Sequence, residues 1–493
     1  MIIELKKVIE QSQSSEAPRL STSDPSFNRA VKVMREAVEG RHISLVQGPP
    51  GTGKTAAIFE SISYVLDLLG DDEIILYVAP THELGVEFLR RFSSAAIGRG
   101  GWGYNLKDLL RMVRIHGSRY DYTHVDALVK APDKDTRIII TTEYQRPFIK
   151  DKAYIHIFVD EASRSLVHRA LTPAVRAFID HIYRKRSISG SLSIIGDPMQ
   201  AISVDVSERF FLLMNTAVHA LRKYADPSYN ANKPPADPER VKELLNWAET
   251  NLREFARLRY TYRLPDPIHS PISHGFYDGV LNPIATISYR LRSMEIRDIR
   301  TGISSIDEAI EEVYGILSTD IGFIVVSHKR YAYEDGEYDA TRAKLGLEFG
   351  VAMANVTGRR VSVVVPYREM LSQMRLSYLH RFKSLVKRGD VEITTVHRIL
   401  GGEADTVVAI LGKEYTGKDD KTIYFNEPET LNVQLSRSRG PMVVIGNIER
   451  LGEKAKEMDQ QERTTKYKPI WLTCERIKRL VESKVAVEIK PKG

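Results

Sequence analysis

The sequence predicts an α/β protein of two similar halves, each built around an open parallel sheet. Continuous apolar runs at 74–79, 138–142 and 155–159 alternate with amphipathic segments, and such runs are typical of parallel strands that helices cover on both faces. The alternation resumes after Leu264–Pro267, which predicts the second sheet. Only the first half carries a phosphate-binding loop, and we therefore expect a nucleotide to bind in the cleft between the halves.

The composition excludes several classes of protein. Of the 493 residues, 42% are apolar and 27% are charged, which is typical of a globular chain, and no apolar run approaches the roughly 18 residues that a membrane span needs. Cys474 is the only cysteine, which excludes a disulfide framework and a cysteine-based zinc module. The N-terminus lacks the zones of a signal peptide, and we expect a reducing intracellular compartment such as the cytoplasm. A net charge of +7 permits a polyanionic partner.

The first domain is predicted to span residues 25–262. Before it, residues 1–24 are polar and rich in Ser and Gln, and we expect a tail to which we assign no function. Within residues 27–39 the apolar positions recur at intervals of three and four, which is the pattern of an amphipathic helix. Residues 93–136 contain a cluster of glycines, then a helical stretch and a strand candidate at 112–115, and are interpreted as an insertion. Residues 203–258 have a mainly helical pattern.

The second domain is predicted to span residues 263–450, and a charged C-terminal tail follows over 451–493. An amphipathic pattern predicts a helix over 306–317. Apolar runs predict strands at 321–326, 361–365, 391–396, 406–411 and 442–445. One amphipathic segment of the tail, over 477–481, is expected to pack back on a domain.

A phosphate-binding loop is predicted between the first strand and its helix. The loop reads Gly48-Pro49-Pro50-Gly51-Thr52-Gly53-Lys54-Thr55 and satisfies G-x-x-x-x-G-K-[ST] at every fixed position. An apolar strand precedes it and helix formers follow it, which is the context that the motif requires. The glycines allow backbone N–H groups to point at the β-phosphate, and the helix N-terminus adds partial positive charge. Lys54 would then bridge to the γ-phosphate, and Thr55 would hold Mg²⁺.

A pair of carboxylates supplies the second part of a nucleotide-hydrolysing site. The apolar strand at 155–159 ends in Asp160 and Glu161, which places the first carboxylate where it would hold the metal and the second where it would activate water. Alone, such a pair is often only a turn or a helix start. Together with a complete phosphate loop it indicates hydrolysis of a nucleoside triphosphate.

Eight short motifs resemble those of the superfamily 1 helicases and follow one another in the family's order. They are Gly48–Thr55, Ala79–Thr81, Asp160–Ser163, Gly196–Gln200, Tyr262–Arg263, Val365–Arg368, Thr395–Val396 with Gly402–Glu403, and Leu431–Arg439. The chain most resembles the 5′-to-3′ branch that includes the nonsense-mediated-decay helicase and senataxin. This resemblance runs from about Phe27 to Asn447 and implies two RecA-like domains.

The resemblance also implies roles for individual residues in binding ATP and Mg²⁺. Gln200 would sense the γ-phosphate, and Tyr262 would stack on the adenine. Arg263 and Arg437 would act as arginine fingers, and Glu403 would lie near the nucleotide. Fingers of this kind neutralise charge that develops only during phosphoryl transfer.

Four residues at strand ends are candidates for contact with a nucleic-acid backbone. They are Pro80, Thr81, Thr142 and Thr395, since hydroxyls and backbone amides at strand ends grip a strand without reading its sequence. Ordinary capping of the following helices explains the threonines equally well. Both interpretations stay open at this point.

Some positions depart from the family pattern. Phe27 stands where the family has a glutamine that reads adenine, and Thr261 and Arg164 each replace a usual glutamine. His397 and Leu400 replace a usual Asp and Gln. The 47 residues before the phosphate loop are also too few for the β-barrel that several relatives carry there, which bears on strand separation rather than on translocation.

We therefore expect an ATP-dependent translocase or helicase that acts on single-stranded DNA or RNA, in the 5′-to-3′ direction that the resemblance implies. A monomer without a membrane partner is expected. Two alternatives are an NTP-driven conformational switch with a protein partner and a nucleic-acid-stimulated ATPase that does not separate strands. The absence of a Leu-Ser-Gly-Gly-Gln signature argues against a transporter-type ATPase.

Overall fold

The computed structural model describes residues 23–97, 101–117, 133–143, 153–163, 165–167, 169, 190–200, 212–285, 296–328, 338–399, 402–414 and 427–491. The chain divides into two compact units. The first ends at Arg259 and the second begins at Tyr260, except that Asp237–Glu239 group with the second unit. Each unit is built around its own parallel sheet, which confirms the predicted α/β fold class with two parallel-sheet domains.

The sheet of the first unit has seven strands. They are β1 (Ile43–Gln47), β2 (Glu73–Ala79), β3 (Val113–Ile115), β4 (Ile138–Thr142), β5 (Ala153–Val159), β6 (Ser191–Gly196) and β7 (Phe255–Arg257). Their order is β3-β4-β2-β5-β6-β1-β7, and every neighbouring pair is parallel. The carboxyl ends of these strands therefore meet at one edge of the sheet, which is where open parallel sheets bind ligands.

Helices of the first unit follow the predicted periodicity. They are α1 (Pro25–Gly40), α2 (Lys54–Leu68), α3 (His82–Ile97), α4 (Leu106–Met112), α5 (Leu213–Ala225) and α6 (Pro238–Asn251). The start of α1 is capped by Asp24, whose carboxylate accepts hydrogen bonds from the N–H groups of Ser26 at 2.8 Å and Phe27 at 3.0 Å. Such a cap satisfies donors that the first turn leaves without partners.

Part of the region interpreted as an insertion belongs to the sheet itself. The edge strand β3 pairs with β4 in register Val113 to Ile138, and both Val113 and Ile115 are buried in the core. Apolar side chains at alternate positions explain this, because both then pack on the same face of the sheet. Residues 98–100 and 118–132 of this region lie outside the described residues.

The second unit repeats the parallel arrangement with six strands. They are β10 (Phe323–Ser327), β11 (Arg360–Val365), β12 (Asp390–Thr395), β13 (Thr406–Ile410), β14 (Met442–Gly446) and β15 (Val487–Ile489). Their order is β12-β11-β13-β14-β10-β15, with every neighbouring pair parallel. A separate short pair joins β8 (Tyr260–Thr261) to β9 (Asn282–Pro283).

Helices of the second unit include a chain segment that we expected to be a tail. They are α7 (His269–Phe276), α8 (Ser304–Leu317), α9 (Ala340–Thr357), α10 (Arg368–Ser377), α11 (Glu429–Leu435), α12 (Ile448–Glu462) and α13 (Lys468–Glu482). The last two helices and β15 lie in the predicted tail. In α13, Ile477 and Leu480 are buried, as the amphipathic spacing predicts. Among the described residues, none of the helices combines the length and the apolar character needed to cross a bilayer.

A buried histidine sits in a chain of hydroxyl groups inside the first sheet. The Ser44 and Ser193 hydroxyls are 2.7 Å apart, and the Nε2 atom of His156 lies 2.9 Å from the Ser193 hydroxyl. The Nδ1 atom of His156 pairs with Ser191. Burial lowers the pKa of His156 to about 3, because an imidazolium ion would lose its hydration here.

We predict that the first unit loses stability as the pH falls below 6.5. The unfolded chain binds a proton at the ordinary histidine pKa of about 6.5, whereas folded His156 stays neutral down to about 3. The stabilisation is therefore complete above pH 6.5 and is lost progressively towards pH 3. At pH 5 the loss should be about 2 kcal/mol.

Urea denaturation of the wild type and of His156→Gln between pH 7 and pH 5 measures this effect. The other titrating groups are common to both proteins and cancel in the comparison. The free energy of unfolding should fall more steeply with decreasing pH in the wild type. Parallel pH dependences would contradict the prediction.

Candidate functional site

The predicted phosphate loop curls around the ammonium group of Lys54. Gly51 and Gly53 have φ angles of 68° and 89°, which glycine adopts far more readily than other residues. The Nζ atom of Lys54 donates a hydrogen bond to the Gly48 carbonyl at 2.8 Å, and a Cβ atom on Gly48 would overlap the Lys54 side chain. The loop therefore holds its lysine close to the backbone that would surround a phosphate.

Hydrogen bonds also tie the loop to itself and to the sheet. The Thr52 hydroxyl donates to the Pro49 carbonyl at 2.8 Å, and Thr52 is buried. The Gly48 N–H donates to the Gly196 carbonyl at the end of β6, at 2.9 Å. Pro50 lies between these contacts, and Thr55 occupies the first turn of α2, which begins at Lys54.

The carboxylate pair lies directly after β5, as predicted. Asp160 is buried, and its Oδ1 and Oδ2 atoms accept hydrogen bonds from the Glu161 N–H and the Tyr77 hydroxyl, each at 2.8 Å. Burial, and then the nearby charge of Glu161, raise the pKa of Asp160 to about 6. The Oε1 atom of Glu161 lies 3.8 Å from the Nζ atom of Lys54.

Glu161 adopts a backbone conformation that is uncommon for a residue with a side chain. Its φ angle is 48°, in the left-handed region. Such conformations cost on the order of 1 kcal/mol or more and often occur at functional sites. The turn separates the environments of the two carboxylates, since Asp160 is buried while Glu161 remains partly accessible.

The oxygen atoms at this edge suit a magnesium ion. Mg²⁺ in nucleotide sites is held by one or two protein oxygens together with phosphate and water, and the Asp160 carboxylate and Thr55 hydroxyl are of that kind. A cation would also balance a carboxylate whose charge burial disfavours. Among the described residues, no group of three or more His, Cys, Asp or Glu side chains could hold a metal alone.

Gln200 is held by a carboxylate to which we had assigned no role. Its Nε2 atom donates to Asp197 Oδ2 at 2.6 Å, and the Oδ1 atom of Asp197 accepts from Gln47 Nε2 at 3.4 Å and from the Met199 N–H at 3.3 Å. Gln47 in turn accepts a hydrogen bond from Arg257 Nε at 2.7 Å. The sequence contains a sign of this network, because Gln47 is a polar residue at the end of an apolar strand and a buried polar side chain needs hydrogen-bond partners.

A second cluster lies within the second unit. The Nε atom of Arg263 is 3.1 Å from Glu403 Oε2, and its Nη1 atom is 3.5 Å from the Ser436 carbonyl. Glu403 also pairs with Arg439. Arg437 is buried and donates from Nε to the Val433 carbonyl at 3.0 Å and from Nη1 to the Gly402 carbonyl at 3.3 Å. The structure thus brings together three residues that were predicted from separate motifs: Arg263, Glu403 and Arg437.

The turn before this cluster explains one departure from the family pattern. Thr261 is buried, and its hydroxyl accepts hydrogen bonds from the N–H groups of Arg263 at 3.3 Å and Leu264 at 3.1 Å. A threonine at this position therefore caps the turn that presents Tyr262 and Arg263. Tyr262 is itself half-buried.

The candidate nucleic-acid residues lie at carboxyl ends of strands, and most of their side chains are buried. Thr81 follows β2, and its hydroxyl accepts a hydrogen bond from the Leu84 N–H at 3.4 Å, as the capping alternative requires. Pro80 is buried beside it. Thr142 ends β4 and Thr395 ends β12, and both are buried.

Of three further positions that depart from the family pattern, the structure describes one. Phe27, at the position of the adenine-reading glutamine, is buried in the core of the first unit. Its apolar side chain thus contributes to packing. Arg164 and Leu400 lie outside the described residues.

A phosphate loop and strand-end carboxylates on one edge of a parallel sheet define the first unit as that of a P-loop NTPase. Comparison with known families agrees. Residues 29–196 match the model of the DEAD/DEAH box helicase family, and residues 242–449 match an AAA domain model. These matches support the family predicted from the motifs, the superfamily 1 helicases.

Several curated proteins are similar to the chain. Human RNA helicase Mov10l1 is 21% identical over 90% of this chain and 35% of its own length. The DNA polymerase alpha-associated DNA helicase A of Saccharomyces cerevisiae is 26% identical over 39% of this chain and 27% of its own length. The chain thus spans about a third of the length of these relatives.

Among the solved structures that match, one aligns over nearly the whole chain. The Sulfolobus solfataricus SWI2/SNF2 ATPase core in complex with dsDNA covers 96% of this chain, and the similarity includes 97% of that protein. The sequence identity is 12% and the TM-score is 0.32. A similarity this low carries no argument about function.

We predict that Gly196→Ala destabilises the first unit. A Cβ atom there would lie 2.7 Å from the backbone nitrogen of Ser163, so the backbone would have to shift. Overpacking of this kind typically costs about 1–3 kcal/mol, and urea denaturation followed by circular dichroism measures it.

Gly315→Ala is the matched control for Gly196→Ala. Gly315 lies in α8, and a Cβ atom there meets no other atom within 4 Å. This substitution should be neutral or stabilise the protein by up to about 1 kcal/mol, because alanine favours a helix. Equal effects of the two substitutions would refute the importance of the close contact at Gly196.

Proposed function

We propose that this chain is an ATP-dependent translocase or helicase that acts on single-stranded nucleic acid. The arrangement of Lys54, Asp160 and Glu161 at one edge of the first sheet supports ATP hydrolysis most directly. Similarity to helicases supports a nucleic-acid substrate. The relatives include an RNA helicase and a DNA helicase, and either nucleic acid is therefore a candidate.

ATP would bind with its phosphates in the loop at 48–55. The loop N–H groups and the N-terminus of α2 attract the phosphates, and the ammonium group of Lys54 would exchange the Gly48 carbonyl for the γ-phosphate. Asp160 and Thr55 would hold Mg²⁺, which supplies positive charge to the phosphate oxygens when it is bound. Tyr262 is proposed to stack on the adenine, as the resemblance implies.

Glu161 is proposed to orient and activate the attacking water. Its carboxylate lies 3.8 Å from the ammonium group of Lys54, and transfer of that ammonium to a phosphate would leave Glu161 able to accept a proton. Gln200 would sense the γ-phosphate from the end of β6, and Asp197 would keep its amide in position. A neighbour that fixes a catalytic side chain reduces the freedom lost in the transition state.

Arg263 and Arg437 are proposed to stabilise the negative charge that develops on the phosphates. Both guanidinium groups are held by specific acceptors within the second unit, so they lose little freedom when they act. We further propose that hydrolysis drives movement along the strand in the 5′-to-3′ direction. This part of the proposal rests on the family resemblance. Thr81, Thr142 and Thr395 are the proposed backbone contacts.

We predict that single-stranded DNA or RNA stimulates ATP hydrolysis several-fold. The measurement is phosphate release by the wild type with and without each strand, and Lys54→Ala is the control. Lys54→Ala should abolish hydrolysis under all conditions, because no other ammonium group replaces it in the loop. Strand displacement on duplexes with a 5′ or a 3′ overhang then tests polarity and strand separation.

The same assay separates the alternatives. Stimulation without displacement of either duplex would favour an ATPase that does not separate strands. Hydrolysis that neither strand stimulates would instead favour a conformational switch with a protein partner. Substantial turnover by Lys54→Ala would remove the phosphate loop from its proposed role.

We predict that Arg437→Ala lowers turnover by roughly 10³-fold or more while nucleotide affinity is retained, because a finger acts on charge present only in the transition state. Arg437 also holds two backbone carbonyls, so circular dichroism must establish that the variant folds. Arg437→Lys preserves the charge without the planar guanidinium and should also turn over slowly. Arg479→Ala, at an exposed helix position, is the matched control. An equal loss of affinity and turnover would contradict a finger role.

A further inference from the structure

The buried tyrosine on β2 has no role in the family motifs. The Tyr77 hydroxyl donates a hydrogen bond to Asp160 Oδ2 at 2.8 Å. The other oxygen, Oδ1, accepts from the Glu161 N–H at 2.8 Å. Both carboxylate oxygens are thus oriented by donors from the protein, one from the turn and one from the neighbouring strand.

The sheet register explains how a residue 83 positions away reaches the carboxylate. In the β2–β5 pair, Tyr77 is registered with Phe158, and side chains of residues 158 and 160 point to the same side because alternate positions share a face. The Asp160 N–H also donates to the Val78 carbonyl at 3.0 Å. The Tyr77 side chain is long enough to extend past Phe158 to residue 160 on the same face, where its hydroxyl donates to Asp160.

Aromatic packing fixes the tyrosine ring. It stacks on Phe88 of α3 with ring centroids 3.5 Å apart and an interplanar angle of 18°. Phe88 in turn contacts Phe59 and Phe92 at 5.2 and 5.9 Å between centroids. Only 2% of the Tyr77 surface is exposed. Since the ring cannot turn without disturbing this cluster, the hydroxyl is held at the carboxylate.

Resting on the proposed function, we propose that Tyr77 is a positioning residue that orients Asp160 for the magnesium ion of Mg·ATP. A carboxylate between two fixed donors presents its remaining lone pairs in one direction. Outer-shell hydrogen bonds of this kind typically change metal affinity by about 10- to 100-fold. The Tyr77 phenol is a hydrogen-bond donor at neutral pH.

Tyr77→Phe tests the proposal because it removes the hydroxyl and keeps the stacked ring. The full chain is titrated with a fluorescent, non-hydrolysable ATP analogue, first in EDTA and then with increasing Mg²⁺, and binding is followed by fluorescence anisotropy. The variant should bind the analogue like the wild type in EDTA. Its half-saturating Mg²⁺ concentration should rise by about 10- to 100-fold, and saturating Mg²⁺ should restore the wild-type affinity.

Tyr64→Phe is the matched control, since the Tyr64 hydroxyl pairs with Glu39 at the surface of α2. This variant should have the same Mg²⁺ dependence as the wild type. A Tyr77→Phe protein that is folded by circular dichroism and has wild-type Mg²⁺ dependence would overturn the positioning role. So would an equal loss of affinity in EDTA and in Mg²⁺, which is the result of a purely structural role. Absence of Mg²⁺-dependent nucleotide binding in the wild type would instead overturn the proposed function.

Discussion

The site in the first unit depends on two loops held by the end of one strand. The phosphate loop is tied to β6 by the hydrogen bond from the Gly48 N–H to the Gly196 carbonyl, and the carboxylate loop by the bond from the Ala162 N–H to the Ile195 carbonyl. These are adjacent peptide groups. The separation between Lys54 and Glu161 is therefore set by backbone geometry, and the lack of a side chain at Gly196 allows the carboxylate loop to lie this close to the strand.

Charge is distributed unevenly around this edge of the sheet. Asp160 and Asp197 are buried, and each is surrounded by hydrogen-bond donors of the protein. The raised pKa of Asp160 shows that these donors do not fully compensate for lost hydration and for the neighbouring charge of Glu161. In the proposed function, a metal ion and a triphosphate would bring both a cation and an anion to the site. The ion would stabilise Asp160, and the phosphates would take the ammonium group of Lys54 from Glu161.

The sequence predicts those features that depend on local patterns. The phosphate loop is predicted because eight consecutive residues determine its geometry, and the buried strands because they are continuous apolar runs. Hydrogen bonds between distant residues, such as those from Gln47 to Asp197 and from Tyr77 to Asp160, are not predicted. They depend on strand order and register, which local patterns do not specify. The segment that forms α12, α13 and β15 was expected to be a tail because its charged residues obscured short apolar faces.

The two candidate fingers of the second unit are held in different ways, and this difference affects what each can contribute. Arg263 is paired with Glu403, which is shared with Arg439, so part of its charge is neutralised. Arg437 donates to two backbone carbonyls, which fix the direction of its guanidinium group. A guanidinium group that is already oriented loses little freedom when it stabilises charge in a transition state. Arg263 must instead weaken its pair with Glu403 before its full charge reaches a phosphate, and Glu403 therefore limits the charge that Arg263 presents.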